Sequence, residues 1–206
     1  MLGYVNAAFE IKAQWAQMGV PEPEAVFVAV GSCGTLAGLF LGARLAGWGS
    51  RVVGVRVIEE DVANRPKIAR MVNKAARYLR RRDPSVPRVR VRPEDVDLLG
   101  GYIGPGYAHP TEEASRAVEQ VARTEGLPLE TTYTGKTMAA LLDYAQGHPG
   151  ARLLFVDTFV ESPVLEEGEW RELLEKFWPA FDPAHRVRCW CLRSWRDANF
   201  CWKSWT

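Results

Sequence analysis

Residues 25–57 read AVFVAV, GSCGTLAG, LFLGARLAGWGS and RVVGVRV, and this stretch decides the fold. An apolar run, a glycine-rich turn, a helical segment and a second apolar run predict the order strand, turn, helix, strand. An unbroken apolar strand is typical of a parallel sheet that is covered on both faces. Because the turn opens a helix, its backbone N–H groups lie at the positive end of the helix dipole, which favours a phosphate.

The residues of this turn suit a phosphate ligand. Gly31 and Gly34 let the backbone approach a ligand closely, and Ser32 and Thr35 add hydroxyl donors. An equally simple interpretation is a tight turn between strand and helix that binds nothing.

A dinucleotide site is the second alternative for the same turn. Such a site needs G-x-G-x-x-G and an acidic residue after the second strand, and Glu59 and Glu60 lie about where that acid falls. The close G-x-G pair is absent, however, and Cys33 stands where a pyrophosphate needs a bare backbone. The pattern therefore favours a single phosphate over a dinucleotide.

Strand and helix patterns alternate along the rest of the chain, which predicts an α/β fold with a parallel sheet and flanking helices. The predicted elements are helix 3–18, strand 25–30, helix 35–47, strand 51–57, helix 61–82, short strand 88–92, loop 93–110, helix 111–125, helix 137–146, strand 151–157 and helix 166–177. The helix after Pro110 is well marked, because Thr111 is a good N-cap and Gly126 ends the apolar stripe.

Residues 102–145 read YIGPGYAHPTEEASRAVEQVARTEGLPLETTYTGKTMAALLDYA. With GYVNAAFEI at 3–11 and the glycine turn, they resemble the pyridoxal-phosphate family of D-cysteine desulfhydrase and 1-aminocyclopropane-1-carboxylate deaminase. The family's Tyr-to-Pro segment, A-R-x-E-G helix end and Y-[TE]-G-K turn are matched at 107–110, 122–126 and 133–136. The resemblance covers about residues 3–158 and implies an incomplete tryptophan-synthase-β-like (fold type II) domain. We expect a partial cofactor-binding domain over 1–165, an additional helix over 166–183 and an atypical tail over 184–206.

The resemblance also implies roles for particular residues. Tyr107 and Tyr133 correspond to tyrosines that flank cofactor and substrate, and Thr134 to the partner of the pyridine nitrogen. The deaminases have Glu at this last position and the desulfhydrase-like members have Thr, which leaves the ring nitrogen largely unprotonated and favours β-elimination. The loop that cradles the cofactor phosphate corresponds to Gly31, Ser32, Cys33, Gly34 and Thr35, and the family more often has Gly or another small residue at Cys33.

The resemblance therefore implies a desulfhydrase-like lyase or deaminase that acts on a small amino acid, with a homodimer expected for full-length members. In this family the Schiff-base lysine precedes the Gly-Tyr-Val segment, so we expect the chain to be an inactive fragment. Asn73 and Lys74 imitate the family's Asn-Lys pair, but they fall inside a helical pattern with a basic face. Lys136 belongs to a turn that the family does not use for the covalent bond. The alternative is a non-catalytic phosphate- or nucleotide-binding α/β domain.

The C-terminal residues depart from the family pattern. Asp157 replaces the His of a His-Thr-Gly-Gly turn, and Phe159 and Val160 replace its glycines. Residues 185–206 contain four of the eight tryptophans and show no helical or strand period, which indicates a frameshifted or foreign end. A metal site is disfavoured because paired C-x-x-C knuckles are absent from the candidate ligands His185, Cys189, Cys191 and Cys201.

The composition indicates a globular protein with a sizeable core: 47% of the 206 residues are hydrophobic. A net charge of +1 gives no case for a nucleic-acid partner. The apolar run near residues 36–45 is interrupted by Gly42 and Arg44, so we expect no membrane span. We also expect a cytoplasmic location, because one cysteine in the first 188 residues is typical of a reducing compartment.

Overall fold

A parallel four-stranded sheet with the order β3-β2-β1-β4 forms the centre of the computed structural model, which describes residues 1–158. The strands are β1 (Ala25–Val30), β2 (Arg51–Arg56), β3 (Asp97–Leu99) and β4 (Leu153–Phe155). The α-helices are α1 (Leu2–Met18), α2 (Gly34–Ala46), α3 (Arg65–Arg82), α4 (Glu112–Glu125) and α5 (Thr134–Gly147), and Pro93–Asp95 form a short 3-10 helix. The predicted α/β architecture with a parallel sheet and flanking helices is confirmed.

Strand β1 is the buried centre of the sheet. It pairs in parallel with β2 on one side, with Phe27 opposite Val53, and with β4 on the other, with Phe27 opposite Phe155. Phe27 is fully buried and packs in a cluster with residues of α4 and α5. A strand with neighbours on both edges and helices on its faces must be apolar along its length, which explains the AVFVAV run.

Helix α2 is apolar all round because it packs between the sheet and α1. Its residues 36–43 are all buried. A Cβ atom added to Gly38 would lie 2.4 Å from the carbonyl oxygen of Met1, and one added to Gly42 would lie 2.5 Å from that of Val5. These two glycines therefore let the backbones of α1 and α2 approach closely.

The predicted short strand at 88–92 is wrong. The third strand is instead Asp97–Leu99, inside the predicted loop 93–110, and it pairs with β2. The side chain of Asn73 donates to the carbonyl of Val91 at 2.7 Å and accepts the N–H of Val91 at 2.9 Å. The alternating RVRVR pattern thus reflects a buried valine that is fixed to α3, and Asn73 has a structural role.

Several predicted boundaries also shift. The helix predicted at 61–82 begins at Arg65, because the side chain of Asn64 accepts the N–H of Lys67 at 3.0 Å and so caps the helix there. Helix α5 begins at Thr134 instead of 137, and β4 is shorter than the predicted 151–157.

The predicted helix 166–177, the atypical tail, the candidate metal ligands and the domain boundary at 165 lie outside the described residues. Within residues 1–158, no group of three or more His, Cys, Asp or Glu side chains is arranged to hold a metal ion. None of the helices in this part of the chain is both long and apolar enough to cross a membrane.

Candidate functional site

The predicted site residues lie at the edge of the sheet where the parallel strands end. Strand β1 leads into residues 31–33, β2 into residues 57–64 and β3 into residues 100–110. In open α/β sheets, ligands bind outside the carboxyl ends of the strands, where such connecting loops meet. We call residues 100–110, which carry Tyr107, the Tyr107 loop.

The glycine turn after β1 forms an open cradle of amides. The first helical hydrogen bond of α2 is donated by the N–H of Ala37 to the carbonyl of the N-cap residue Cys33, at 3.0 Å. The amides of residues 34–36 therefore have no partner within α2. A Cβ atom added to Gly34 would meet only the hydroxyl of Ser32 within 4 Å, at 3.7 Å. Ser32 is exposed and Thr35 is half-buried, so a phosphate has access to the positive end of α2.

Cys33 shapes this cradle through its backbone. It is the N-cap of α2 and adopts the left-handed conformation, with φ 72° and ψ −5°. This conformation costs a non-glycine residue about 1–2 kcal/mol. The side chain is buried, which raises the pKa of the thiol, and the sulfur lies 3.8 Å from the carbonyl oxygen of Gly31. The thiol therefore packs inside the turn.

The two predicted tyrosines meet beside this turn. A Cβ atom added to Gly31 would lie 3.1 Å from Cε1 of Tyr133, a tight contact that would require this ring to shift by a few tenths of an ångström. The rings of Tyr107 and Tyr133 pack edge to face with their centroids 5.9 Å apart, and their hydroxyls share a hydrogen bond. That bond, burial and the nearby Glu130 charge raise the pKa of Tyr133 to about 12. Gly31 and both tyrosines thus form one cluster.

Glu130, which sequence reasoning missed, holds the turn that carries Tyr133. Its carboxylate accepts the backbone N–H groups of Thr132, Tyr133 and Thr134 at 2.5, 2.7 and 2.6 Å. It thereby satisfies amides at the start of α5 and places a negative charge at the positive helix end. An acidic residue near the start of a helix is a known start signal. The sequence predicts a helix that begins at 137, seven residues after Glu130, so it does not indicate this role.

Three residues of the Tyr-Thr-Gly-Lys turn, Thr134, Gly135 and Lys136, each make a different structural contact. Thr134 is buried, and its hydroxyl accepts the N–H of Glu130 at 2.9 Å. A Cβ atom added to Gly135 would lie 2.8 Å from the carbonyl oxygen of Glu130 and 2.7 Å from Val118, so α4 and α5 need glycine here. Lys136 is fully buried and donates to the carbonyl of Ile103 at 2.6 Å. The predicted role of Thr134 toward a pyridine nitrogen stays a prediction.

Glu59 and Glu60, the acids considered for a ribose, have other partners. A carboxylate oxygen of Glu59 accepts the backbone N–H of Tyr107 at 3.2 Å. Glu60 forms an ion pair with Arg56 at 3.2 Å. Glu59 therefore helps to hold the Tyr107 loop, which disfavours the dinucleotide interpretation.

Comparison with known proteins shows the family of this chain. The sequence profile of the family "pyridoxal-phosphate dependent enzyme" matches residues 1–158. D-cysteine desulfhydrase of Yersinia enterocolitica is 39% identical over 142 residues, which are 69% of this chain and 40% of that protein. The D-cysteine desulfhydrase of Klebsiella pneumoniae is 36% identical over the same length and the same shares of both chains.

A solved structure of an ACC deaminase homologue has a TM-score of 0.63 and 32% identity, over 84% of this chain and 49% of that one. The chain thus spans less than half the length of these relatives. The profile covers well over half of the chain, and the relatives carry the names of the two activities that the sequence motifs indicate. The chain belongs to the pyridoxal-phosphate-dependent enzyme family, among relatives of D-cysteine desulfhydrase and ACC deaminase.

Proposed function

We propose that this chain holds the phosphate and pyridine sides of pyridoxal phosphate in a desulfhydrase-like lyase. The proposed reaction is β-elimination from D-cysteine or a related small amino acid, which gives pyruvate, ammonia and sulfide. The cluster of Gly31, Tyr107 and Tyr133 beside the amide cradle carries the proposal. The names of the relatives and the threonine at position 134 support desulfhydrase-like chemistry over the deaminase type.

The residues present fit the cofactor. The open space in front of Gly34 and the amides of residues 34–36 suit a phosphate group, with Ser32 and Thr35 as further donors. When bound, pyridoxal phosphate supplies an electron sink for the charge that develops on the substrate carbon. The hydroxyls of Tyr133 and Tyr107 share a hydrogen bond, and the pKa of Tyr133 is raised to about 12, so its neutral form persists to higher pH than that of a free tyrosine. The pair can therefore hold and orient a proton at the edge of the site.

We further propose that residues 1–206 by themselves bind the cofactor but do not turn over substrate. The nitrogen of Lys136 is buried against the carbonyl of Ile103, which keeps it from reacting with an aldehyde. The family resemblance assigns the covalent lysine to a segment that precedes the matched residues. Because residues 1–206 do not include that segment, we do not expect them to catalyse by the family's covalent route on their own.

The test is to titrate the chain with pyridoxal phosphate, follow cofactor absorbance and protein fluorescence, and assay pyruvate and sulfide from D-cysteine. We expect saturable binding without product release above free cofactor. Gly34→Val should weaken binding at least about tenfold, which corresponds to 1.4 kcal/mol. Gly147→Val is the matched control, because that glycine lies at the far end of α5 with nothing within 4 Å of an added Cβ.

Equal affinity in both variants would contradict the assignment of the cradle. Binding of a nucleotide in place of pyridoxal phosphate would favour the nucleotide-binding alternative. Rapid release of pyruvate and sulfide would overturn the proposal that residues 1–206 are inactive on their own, and Lys136 would then be the first lysine to mutate.

A further inference from the structure

Lys136 is a buried cation that the proposed function does not use. Its side chain is fully buried, and its Nζ donates to the carbonyl oxygen of Ile103 at 2.6 Å. Burial lowers the pKa of Lys136, and the negative charges of Glu130 and Glu59 act in the opposite direction. Burying an ammonium group is unfavourable unless it is paired and hydrogen-bonded, so the contact with Ile103 calls for a structural reason.

The carbonyl that Lys136 binds belongs to the Tyr107 loop. This loop joins β3 to α4 without regular secondary structure, so its backbone polar groups depend on partners elsewhere. It also contains Ala108 at φ +62°, a conformation that costs energy for a residue other than glycine. A loop of this kind keeps one conformation only where surrounding contacts hold it.

We propose that Lys136 is a positioning residue, whose bond to Ile103 holds the Tyr107 loop so that Tyr107 stays against Tyr133. The relevance of this contact to catalysis rests on the proposed function, whereas the positioning itself does not. Ile103 lies four residues before Tyr107, so a tether at its carbonyl fixes the loop close to the tyrosine.

The neighbouring contacts agree with a tether from α5. Asp143, seven residues after Lys136 on the same helix, accepts the hydroxyl of Tyr102 at 3.0 Å. Residues seven apart lie on the same face of a helix, so α5 holds two adjacent loop residues from one face. Glu59 holds the backbone N–H of Tyr107 at the other end of the loop. Since Tyr133 is the N-cap of α5, one helix carries Tyr133 and anchors the loop that carries Tyr107.

The test compares Lys136→Met, which keeps a long side chain but removes the donors, with Lys12→Met. Lys12 also donates to backbone carbonyls, those of Ala46 and Gly47 at 2.6 and 2.8 Å, but at the C-terminal end of α2. NMR without pyridoxal phosphate would record the nuclear Overhauser contact between the rings of Tyr107 and Tyr133 and the alkaline titration of Tyr133. Leaving out the cofactor keeps the result independent of the proposed function.

We expect Lys136→Met to lose the contact between the rings and to lower the pKa of Tyr133 from about 12 toward 10, because the hydrogen bond between the two hydroxyls, which favours the neutral form of Tyr133, is lost. Lys12→Met should change neither. If Lys136 acted only through its charge, its removal would raise the pKa of Tyr133, since a nearby cation favours the phenolate. A raised pKa, or an unchanged contact between the rings in folded Lys136→Met, would overturn the proposal.

A second measurement keeps the proposal falsifiable if Lys136→Met does not fold. In the unaltered chain, the ammonium protons of a buried lysine that is hydrogen-bonded to a backbone carbonyl exchange slowly with solvent. We expect nitrogen-15 spectra at neutral pH to show protected protons on Lys136 and rapid exchange on the exposed Lys74. Equally rapid exchange on both lysines would contradict the tether.

Discussion

Exchange of Glu130 for glutamine tests how the turn that carries Tyr133 is held. One carboxylate oxygen accepts the N–H groups of Tyr133 and Thr134 at 2.7 and 2.6 Å, and the other accepts that of Thr132 at 2.5 Å. Glutamine has the same length, but one oxygen becomes an amide NH2 group that cannot accept a hydrogen bond. The better orientation keeps the oxygen toward Tyr133 and Thr134 and leaves the N–H of Thr132 without this acceptor.

The expected loss follows from the hydrogen bonds. A bond to a charged group contributes about 1.5–3 kcal/mol and a neutral one about 0.5–1.5 kcal/mol. One charge-assisted bond is lost and two become neutral, but the three share a single carboxylate and the turn is only partly buried. We therefore expect Glu130→Gln to lower the free energy of unfolding by about 2 kcal/mol, which for a chain of this size lowers Tm by about 4–8 °C.

Thermal unfolding of Glu130→Gln and of the control Glu113→Gln would measure this effect. Glu113 is an exposed carboxylate in the first turn of α4, where it forms an ion pair with Arg116 at 3.7 Å. Its exchange should cost less than about 0.5 kcal/mol. If both variants melted at the same temperature, the reasoning about Glu130 would be refuted.

Three further predictions concern the same region and the fold around it. Gly135→Ala should lower stability to urea despite about 1 kcal/mol of gained helix propensity, because the new Cβ would lie 2.8 Å from the carbonyl of Glu130; an unchanged midpoint would contradict this. Burial raises the pKa of Tyr102 to about 12, so the folded state favours the neutral form of this tyrosine. The free energy of unfolding should therefore fall as pH rises from 10 toward 12, and urea titrations should show a smaller fall for Tyr102→Phe. Asn73→Ala should cost about 1–3 kcal/mol by leaving Val91 without two hydrogen bonds, and faster amide exchange of that residue would show it.

The sequence determined the features that depend on neighbouring residues. The apolar run of β1 and the glycine turn after it are local patterns, and the strand bounds 25–30 agree with the structure. The predicted cap of α4 is confirmed, since the hydroxyl of Thr111 accepts the N–H of Ala114 at 3.1 Å and Gly126 ends the helix at φ 64°. A helix cap is formed by residues that lie within one turn of each other, so short-range sequence patterns suffice to predict it.

The sequence was misleading where a local pattern has a distant cause. The alternation at 88–92 looks like a strand, but Val91 is held by a side chain 18 residues earlier in the chain. Strand β3 has only three residues and pairs with β2, so it is too short to show a period of its own. Both errors arise because strand identity depends on a partner, which adjacent residues do not reveal.

Only the tertiary structure decided how the site is held together. The sequence supplied the two tyrosines, but their hydroxyl contact joins residues 26 apart in the chain. Lys136 binds a carbonyl 33 residues away, and Glu59 binds an amide 48 residues away. These contacts depend on how α5 and the Tyr107 loop pack at the end of the sheet, and no periodicity within a segment encodes that placement. Residue types and local turns were therefore readable from the sequence, whereas the positioning roles of Glu130, Glu59 and Lys136 became visible only in the folded chain.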